Sequence, residues 1–320
     1  MQDSMMNKIK CTCLLIALIV FAKPSMAQIE IDISGGAVRG IPIAVVPFRV
    51  VDATELKHNI HDVVGFDLAA TGKFEILDPR NFLSQPSRKE EFRAKDWRFI
   101  NAEALVMGEV WKIGNDNYEV QFRIFDVARD QEIGTGKRIP NLSGENLRTA
   151  GHIISDHVYN AFTGRSAAFD SRIAFIKRSE IEFQRYRYRL MVADWDGYDA
   201  REVYASWKPL LSPAWSPNGQ QLAFVSYSRK GPVVQVINIE SGKSKVIAAF
   251  NGVNSAPTWS PDGRKLAYST SRNGSPDVYI YDFDTEQHTR INNHYGIDTE
   301  PAWSPDGNCL LYTSPSPRDS

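Results

Sequence analysis

The chain reads as two domains, a mixed α/β domain followed by an all-β propeller, on three observations. A motif recurs at fixed spacing in the C-terminal half, short β-runs fill the intervals between its copies, and the N-terminal half alternates strand-type and helix-type patterns instead. The motif is PAWSPNGQQLAFVS at Pro213–Ser226, PTWSPDGRKLAYST at Pro257–Thr270 and PAWSPDGNCLLYTS at Pro301–Ser314, each copy starting 44 residues after the last. Identical in all three are the first Pro (Pro213, Pro257, Pro301), Trp (Trp215, Trp259, Trp303), the Ser after it, the second Pro, Gly (Gly219, Gly263, Gly307) and Leu (Leu222, Leu266, Leu310). A repeat of this length made of short strands is the pattern of a propeller.

Within each unit, Ser-Pro-Asn/Asp-Gly is a hairpin corner. Proline presets φ near about −65°, Asn or Asp follows well, and Gly accepts the positive φ that closes the turn. Leu-Ala-Phe/Tyr then alternates as a strand, and partner runs follow at Val234–Asn238 and Val278–Asp282, each with a further turn and β-run, giving about four strands per unit. The recurring Trp suits burial between neighbouring blades better than ligand stacking, since every unit places it alike. The first blade begins at SRIAFIK, Ser171–Lys177, with RLMVAD at Arg189–Asp194 as its partner. Its hairpin carries five more residues than the later units, rich in Arg and Tyr, and is either a contact surface or a cover for the domain interface, the cover being favoured. Residues 315–320, PSPRDS, abandon the pattern, so the propeller of residues 169–314 is expected to be incomplete.

The amino terminus carries an export address. Lys8 and Lys10 precede an apolar core, Cys11–Ala22, and Ser25-Met26-Ala27 is a small-residue cleavage site, so residues 1–27 read as a signal cleaved after Ala27, whether translation starts at Met1, Met5 or Met6. The apolar core is too short to span a bilayer, and neither Cys11 nor Cys13 is placed for a lipid anchor. After cleavage only Cys309 remains, which leaves no internal disulfide and no cysteine metal cluster. With 42% apolar and 23% charged residues and a formal net charge of −1, the chain is globular and lacks the basic footprint of a nucleic-acid or anionic-lipid binder.

From Gln28 the pattern is α/β. Ile29, Ile31 and Ile33 alternate ahead of a Ser-Gly-Gly hinge, as an arm over residues 28–36 that pairs either with its own sheet or with a partner by β-augmentation. A buried-type strand follows at Ile43–Phe48, an amphipathic helix at Glu55–Thr71 capped by Thr54, a strand at Phe74–Leu77, a helix at Arg88–Ile100, a strand at Ala104–Trp111, a hairpin of Tyr118–Asp126 with Gln131–Ile139, and a helix at Gly144–Phe162 opened by Ser143 and Asn146. This makes residues 37–162 a mixed α/β domain and residues 163–168 a linker. His152, Asp156 and His157 on the last helix lack a third ligand on one face and read as solvated surface, and His58 and His61 as ordinary helix residues.

The order of export signal, QIEIDISGGAVRGIPIAVVPF (Gln28–Phe48), DWRFINAEALVMGEV (Asp96–Val110) and WSPDG repeats resembles the TolB family, the periplasmic component of the Tol–Pal cell-envelope system. The likeness covers nearly all of residues 7–314; WSPDG alone is shared by other propellers, whereas the whole order is specific. The resemblance implies a six-bladed propeller, of which this chain holds part, and a non-enzymatic scaffold without cofactor or metal, supporting outer-membrane integrity and cell division. It implies contact with TolA through Gln28, Ile29, Glu30, Ile31, Asp32, Ile33, Ser34, Gly35 and Gly36, and with the lipoprotein Pal, or group A colicins, through Asn254, Ser255, Ala256, Asp298, Thr299 and Glu300, with neither nucleic acid nor membrane insertion involved. Loops at one phase of a propeller repeat emerge on one end, where binding surfaces collect, which agrees with the second set. The rival class is a prolyl-oligopeptidase-like exported peptidase, whose Gly-x-Ser-x-Gly elbow is not matched by Gly164-Arg-Ser-Ala-Ala168; a propeller lyase finds no clustered acid–base set.

Overall fold

The computed structural model describes residues 39–53, 55–292 and 296–313. The arm at residues 28–36, the export signal, the cap Thr54 and the tail at residues 315–320 lie outside these.

Strand periodicity builds the first sheet. β1 (Ile41–Val45) sends Ile43 and Val45 to one face and Ala44 to the other, and β4 (Ala104–Gly114) divides Ala104, Val106 and Val110 from Leu105 and Met107 in the same way. β3 (Phe74–Ile76), β1, β4, β5 (Asn117–Asp126) and β6 (Gln131–Glu132) follow one another in hydrogen-bonded order. β2 (Arg49–Val51) runs beside β4, and β7 (Lys137–Leu142) beside β5. The first strands are parallel and β4–β5 is antiparallel. Helices α1 (Ile60–Ala70) and α3 (Leu147–Thr163) cover one face through Ile60, Val64, Leu68, Leu147, Ile154 and Val158. The short α2 (Ala94–Phe99) puts Trp97 on the other face. The two long helices approach closely at Gly151, where an added Cβ would lie 2.7 Å from Val63.

Three sequence expectations are corrected. The helix expected at Glu55–Thr71 starts only at Ile60, after an extended Asn59. The helix expected at Arg88–Ile100 breaks into a 3₁₀ turn at Lys89–Glu91 and α2, because the backbone extends at Phe92 and lays that ring on Phe125 at 4.1 Å. A tertiary ring contact outweighs helical continuity there. The run expected at Gln131–Ile139 divides into β6 and β7 at Gly134, whose φ is +73°.

The propeller part comprises four sheets among the described residues, and they do not close into a ring. The first holds β8 (Arg172–Glu182), β9 (Arg185–Asp194) and β10 (Arg201–Ser206). The second holds β11 (Leu211–Trp215), β12 (Gln221–Tyr227), β13 (Pro232–Asn238) and β14 (Ser244–Ala248). The third holds β15 (Asn254–Trp259), β16 (Lys265–Thr270), β17 (Asp277–Asp282) and β18 (His288–Arg290), and the fourth β19 (Thr299–Trp303) with β20 (Leu310–Thr313). All neighbours within these sheets are antiparallel.

The identical Ser and Gly of the motif have the same structural tasks in all three copies. Ser216, Ser260 and Ser304 accept the N–H of Gln221, Lys265 and Cys309 at 2.9 Å through Oγ, and donate from the same hydroxyl to Asn218, Asp262 and Asp306. Those hydroxyl contacts hold the Asp262 and Asp306 carboxyls below the usual carboxylate range. Gly219, Gly263 and Gly307 take φ of +66°, +72° and +72°, the left-handed conformation that closes the corner. Between blades, the indole N–H of Trp259 donates to the Ala214 carbonyl at 3.2 Å and that of Trp303 to the Thr258 carbonyl at 3.3 Å. Trp259 and Trp303 thus each grip the residue just before the Trp of the preceding sheet, whereas the Trp215 ring has the Arg172 guanidinium 5.0 Å from its centroid. Trp259 also stacks on Phe283 at 5.0 Å, within the core shared by the second and third blades.

Replacing Trp259 by Phe should keep ring packing and lose the indole donor, costing about 1 kcal/mol, whereas Trp259→Ala should cost about 3–5 kcal/mol. Denaturant unfolding monitored by circular dichroism reads both; an alanine variant within about 0.5 kcal/mol of the parent would remove the blade-packing role.

Candidate binding end of the propeller

Alternating strand direction gives the propeller two ends. The Pro-Asp-Gly corners and the β9–β10 connection lie on one; the β8–β9, β12–β13 and β16–β17 hairpins and the loops leading into β11, β15 and β19 lie on the other.

The first end is joined to the α/β domain. Asp67 of α1 is fully buried, taking the His152 Nδ1 contact at 2.8 Å on one oxygen and the Trp195 indole N–H at 3.1 Å on the other. Arg148 of α3 pairs with Asp196 and lies 4.0 Å over the Tyr198 ring. Phe66 and Phe169 pack on Trp195 at 6.0 and 5.2 Å. His152 is therefore not solvated helix surface, as its sequence context suggested, but 3% exposed and paired with a residue 85 positions away. Asp156 accepts the Phe169 N–H at 3.2 Å, and His157 stacks on Phe122 at 5.7 Å. Burial, then the Arg148 and Lys57 charges, lowers the His58 pKa.

Asp67, His152 and Asp196 bring donor atoms within 4.8 Å of one another, the composition of a metal cluster. Here the Arg148 guanidinium supplies the positive charge beside Asp196, and His152 and Trp195 occupy both Asp67 oxygens, so the arrangement works as a joint between domains. Sequence patterns offered two faint signals for it, the first an aspartate on the apolar stripe of α1. The second was Trp195 at the repeat position held by Ile239 and Phe283.

The opposite end is free of that joint. Ile181, Phe183, Trp207, Leu211, Tyr227, Val253, Ile291 and Ile297 are all exposed there, Phe183 by 89%. A left-handed residue precedes the first motif Pro in every unit: Ser212, Ala256 and Glu300, with φ of +49°, +49° and +54°. Each lies at a bulge in the strand pair, so the loops enter their blades by the same strained step.

The sequence-derived loop residues come together at this end with unequal access. Asn254 is fully buried and donates to the Pro232 carbonyl at 3.0 Å and the Phe250 carbonyl at 2.7 Å, tying the loop to the adjoining hairpin. Asp298, its counterpart one unit later, is also fully buried and receives Asn292. Ala256 is buried; Ser255 and Thr299 are half-buried and Glu300 is exposed. The longer β8–β9 hairpin rises from this end as well. It stands at the strand ends opposite the β9–β10 connection, so it does not cover the domain joint, contrary to the sequence preference.

A depression of the α/β domain, about 540 Å³, adjoins Phe92 and Phe125; its cations Lys89 and Arg123 both pair with Glu132. No helix among the described residues is long and apolar enough to cross a membrane.

Comparison with known proteins gives matches over both halves. The profile of the TolB amino-terminal domain matches residues 29–133, and that of the TolB beta propeller domain residues 159–318. The chain is 39% identical over 245 residues to the Tol-Pal system protein TolB of Nitrosococcus oceani, covering 76% of this chain and 56% of that protein. It is 38% identical over 252 residues to that of Nitrosomonas europaea, covering 79% and 56%. The crystal structure of TolB from Acinetobacter baumannii superposes with a TM-score of 0.75 at 33% identity, over 86% of this chain and 66% of that one. The chain thus spans little more than half the length of the curated relatives it matches.

For the joint, Asp67→Ala should destabilise the chain by about 3 kcal/mol, because it strands the buried His152 and the half-buried Trp195 donor. The Trp195 environment should become solvent-like before global unfolding; a variant with parental stability and emission would contradict the joint.

Proposed function

The chain belongs to the TolB family, and on that premise we propose that it serves the Tol–Pal cell-envelope system as a non-enzymatic scaffold in the periplasm, supporting outer-membrane integrity and cell division. In this reading the arm from Gln28 to Gly36 meets TolA, and the propeller end away from the α/β domain meets Pal; group A colicins would compete for the same end. The periplasmic address rests on the signal read at residues 1–27.

The gathering of exposed large apolar side chains at that one end carries the proposal. Apolar surface concentrated on one patch and rimmed by polar groups suits protein association, and its cost in water is relieved on binding. The opposite end is already engaged by the domain joint. Ser255, Thr299 and Glu300 are the loop residues with access to a partner, while Asn254, Ala256 and Asp298 shape the loops from inside.

Calorimetry on the full-length protein tests both contacts. Thr299→Ala combined with Glu300→Ala should weaken Pal binding about tenfold, or about 1.4 kcal/mol, while Asn218→Ala at the corner end leaves it unchanged. Deleting Ile29–Ser34 should abolish TolA binding and leave the unfolding transition in place. Parental affinity in the double variant would remove the Pal assignment, and parental TolA affinity in the deletion would remove the arm assignment.

A further inference from the structure

The chain is nearly neutral, yet its charges are not evenly spread over the propeller. Arg178, Arg187, Lys208, Arg229, Lys230 and Arg272 all lie at the end away from the α/β domain, on the hairpins and the loop before β11. None of the six has a carboxylate within ion-pair distance among the described residues. At the corner end two pairs form, Arg264 with Asp284 and Lys245 with Glu286. The acidic groups within the β8–β9 hairpin are already used locally. Glu182 pairs with Arg185 at 3.3 Å, and Glu180 accepts the Gln184 N–H at 2.9 Å.

The hairpin also arranges its cations on rings. The Arg185 and Arg187 guanidiniums lie 4.3 and 4.8 Å from the Trp207 ring centroid, and Arg178 lies 4.8 Å from that of Tyr186. A guanidinium flat on an aromatic face is held in orientation while its N–H edges stay available for a carboxylate. Phe183 at the tip and Trp207 at the base are both well exposed, which places apolar anchors on either side of the cations. Trp, Tyr and Arg are the residue types that dominate interface energetics.

We propose that this hairpin and its neighbouring loops bind an acidic, extended segment of the protein partner, with carboxylates on Arg178 and Arg187 and an apolar side chain against Phe183 and Trp207. The proposal rests on the reading of this end as the Pal-binding end and adds the chemistry of what it grips. Net positive charge on the face also accelerates encounter with an acidic partner and makes association salt-sensitive.

The test uses the full-length protein and fluorescence anisotropy of a labelled peptide, Asp/Glu-rich around a central Leu-Phe pair. Its Lys counterpart, single-stranded DNA and phosphatidylglycerol vesicles serve as separate arms. The acidic peptide should bind at about 50 mM salt and weaken strongly by about 500 mM. Arg178→Glu with Arg187→Glu should lower affinity about tenfold or more, and Arg178→Lys with Arg187→Lys should lose less, keeping charge but not the planar fork. Phe183→Ala should weaken the peptide without altering its salt dependence. Equal affinity for the Lys counterpart, equal or tighter binding of DNA or vesicles, or an unchanged acidic-peptide affinity in the charge-reversal variant would each overturn the proposal. Calorimetry with Pal keeps the two readings apart. A parental protein that does not bind Pal defeats the proposed function, whereas Pal bound equally by parent and charge-reversal variant defeats this inference alone.

Discussion

An indole N–H reaching back to the carbonyl of the preceding blade is the contact on which the propeller part depends. It recurs at Trp259 and Trp303 and fixes the phase of the third and fourth sheets against their neighbours. The Ser, Asp and Gly of the same motif fix the corner that positions the Trp, so one short sequence sets both the hairpin and its junction. Once the phase is fixed, strand direction alone sends every Pro-Asp-Gly corner to one end and every blade-entry loop to the other. The proposed binding surface would be a consequence of that sorting rather than a separate device.

The domain joint decides which end remains available. Its buried Asp67 is satisfied by donors from two directions, His152 within the α/β domain and Trp195 from the first blade, so the carboxylate links the domains only while both are in place. Removing a partner from such a buried arrangement is costly, which gives the joint geometric definition beyond what apolar packing supplies. The free end then carries the exposed rings, the strained blade-entry residues and cations that form no ion pair among the described residues. Apolar surface and charge at one place favour affinity and encounter rate respectively.

Most of the fold was legible in the sequence because its signals are local and periodic. The 44-residue repeat, the corner residues and the alternation of β1, β4 and β5 each report on neighbours a few positions away. The expected helix at Arg88–Ile100 failed where Phe92 leaves the helical path for Phe125, a contact no periodicity encodes. The joint was illegible for the same reason: His152 and Asp67 lie on different helices, and the Trp195 side chain comes from another domain. At the candidate site, repeat phase brought the two loops to one end of the propeller. It did not separate Asn254 and Asp298, which build the loops from within, from Thr299 and Glu300, which face outward. The cation-bearing hairpin showed in the sequence as extra length, and its direction followed only from which end of β9 the joint occupies.

The central claim is that partners engage the propeller end opposite the α/β domain. Hydrogen exchange of the full-length protein, alone and with Pal, tests it most directly, because amide protection reports where a partner covers the backbone. The account predicts slowed exchange in the loops at Val253–Ala256 and Ile297–Glu300, with unchanged exchange at the corners Ser216–Gly219 and Ser260–Gly263. Protection confined to those corners, or to the α/β domain, would contradict it.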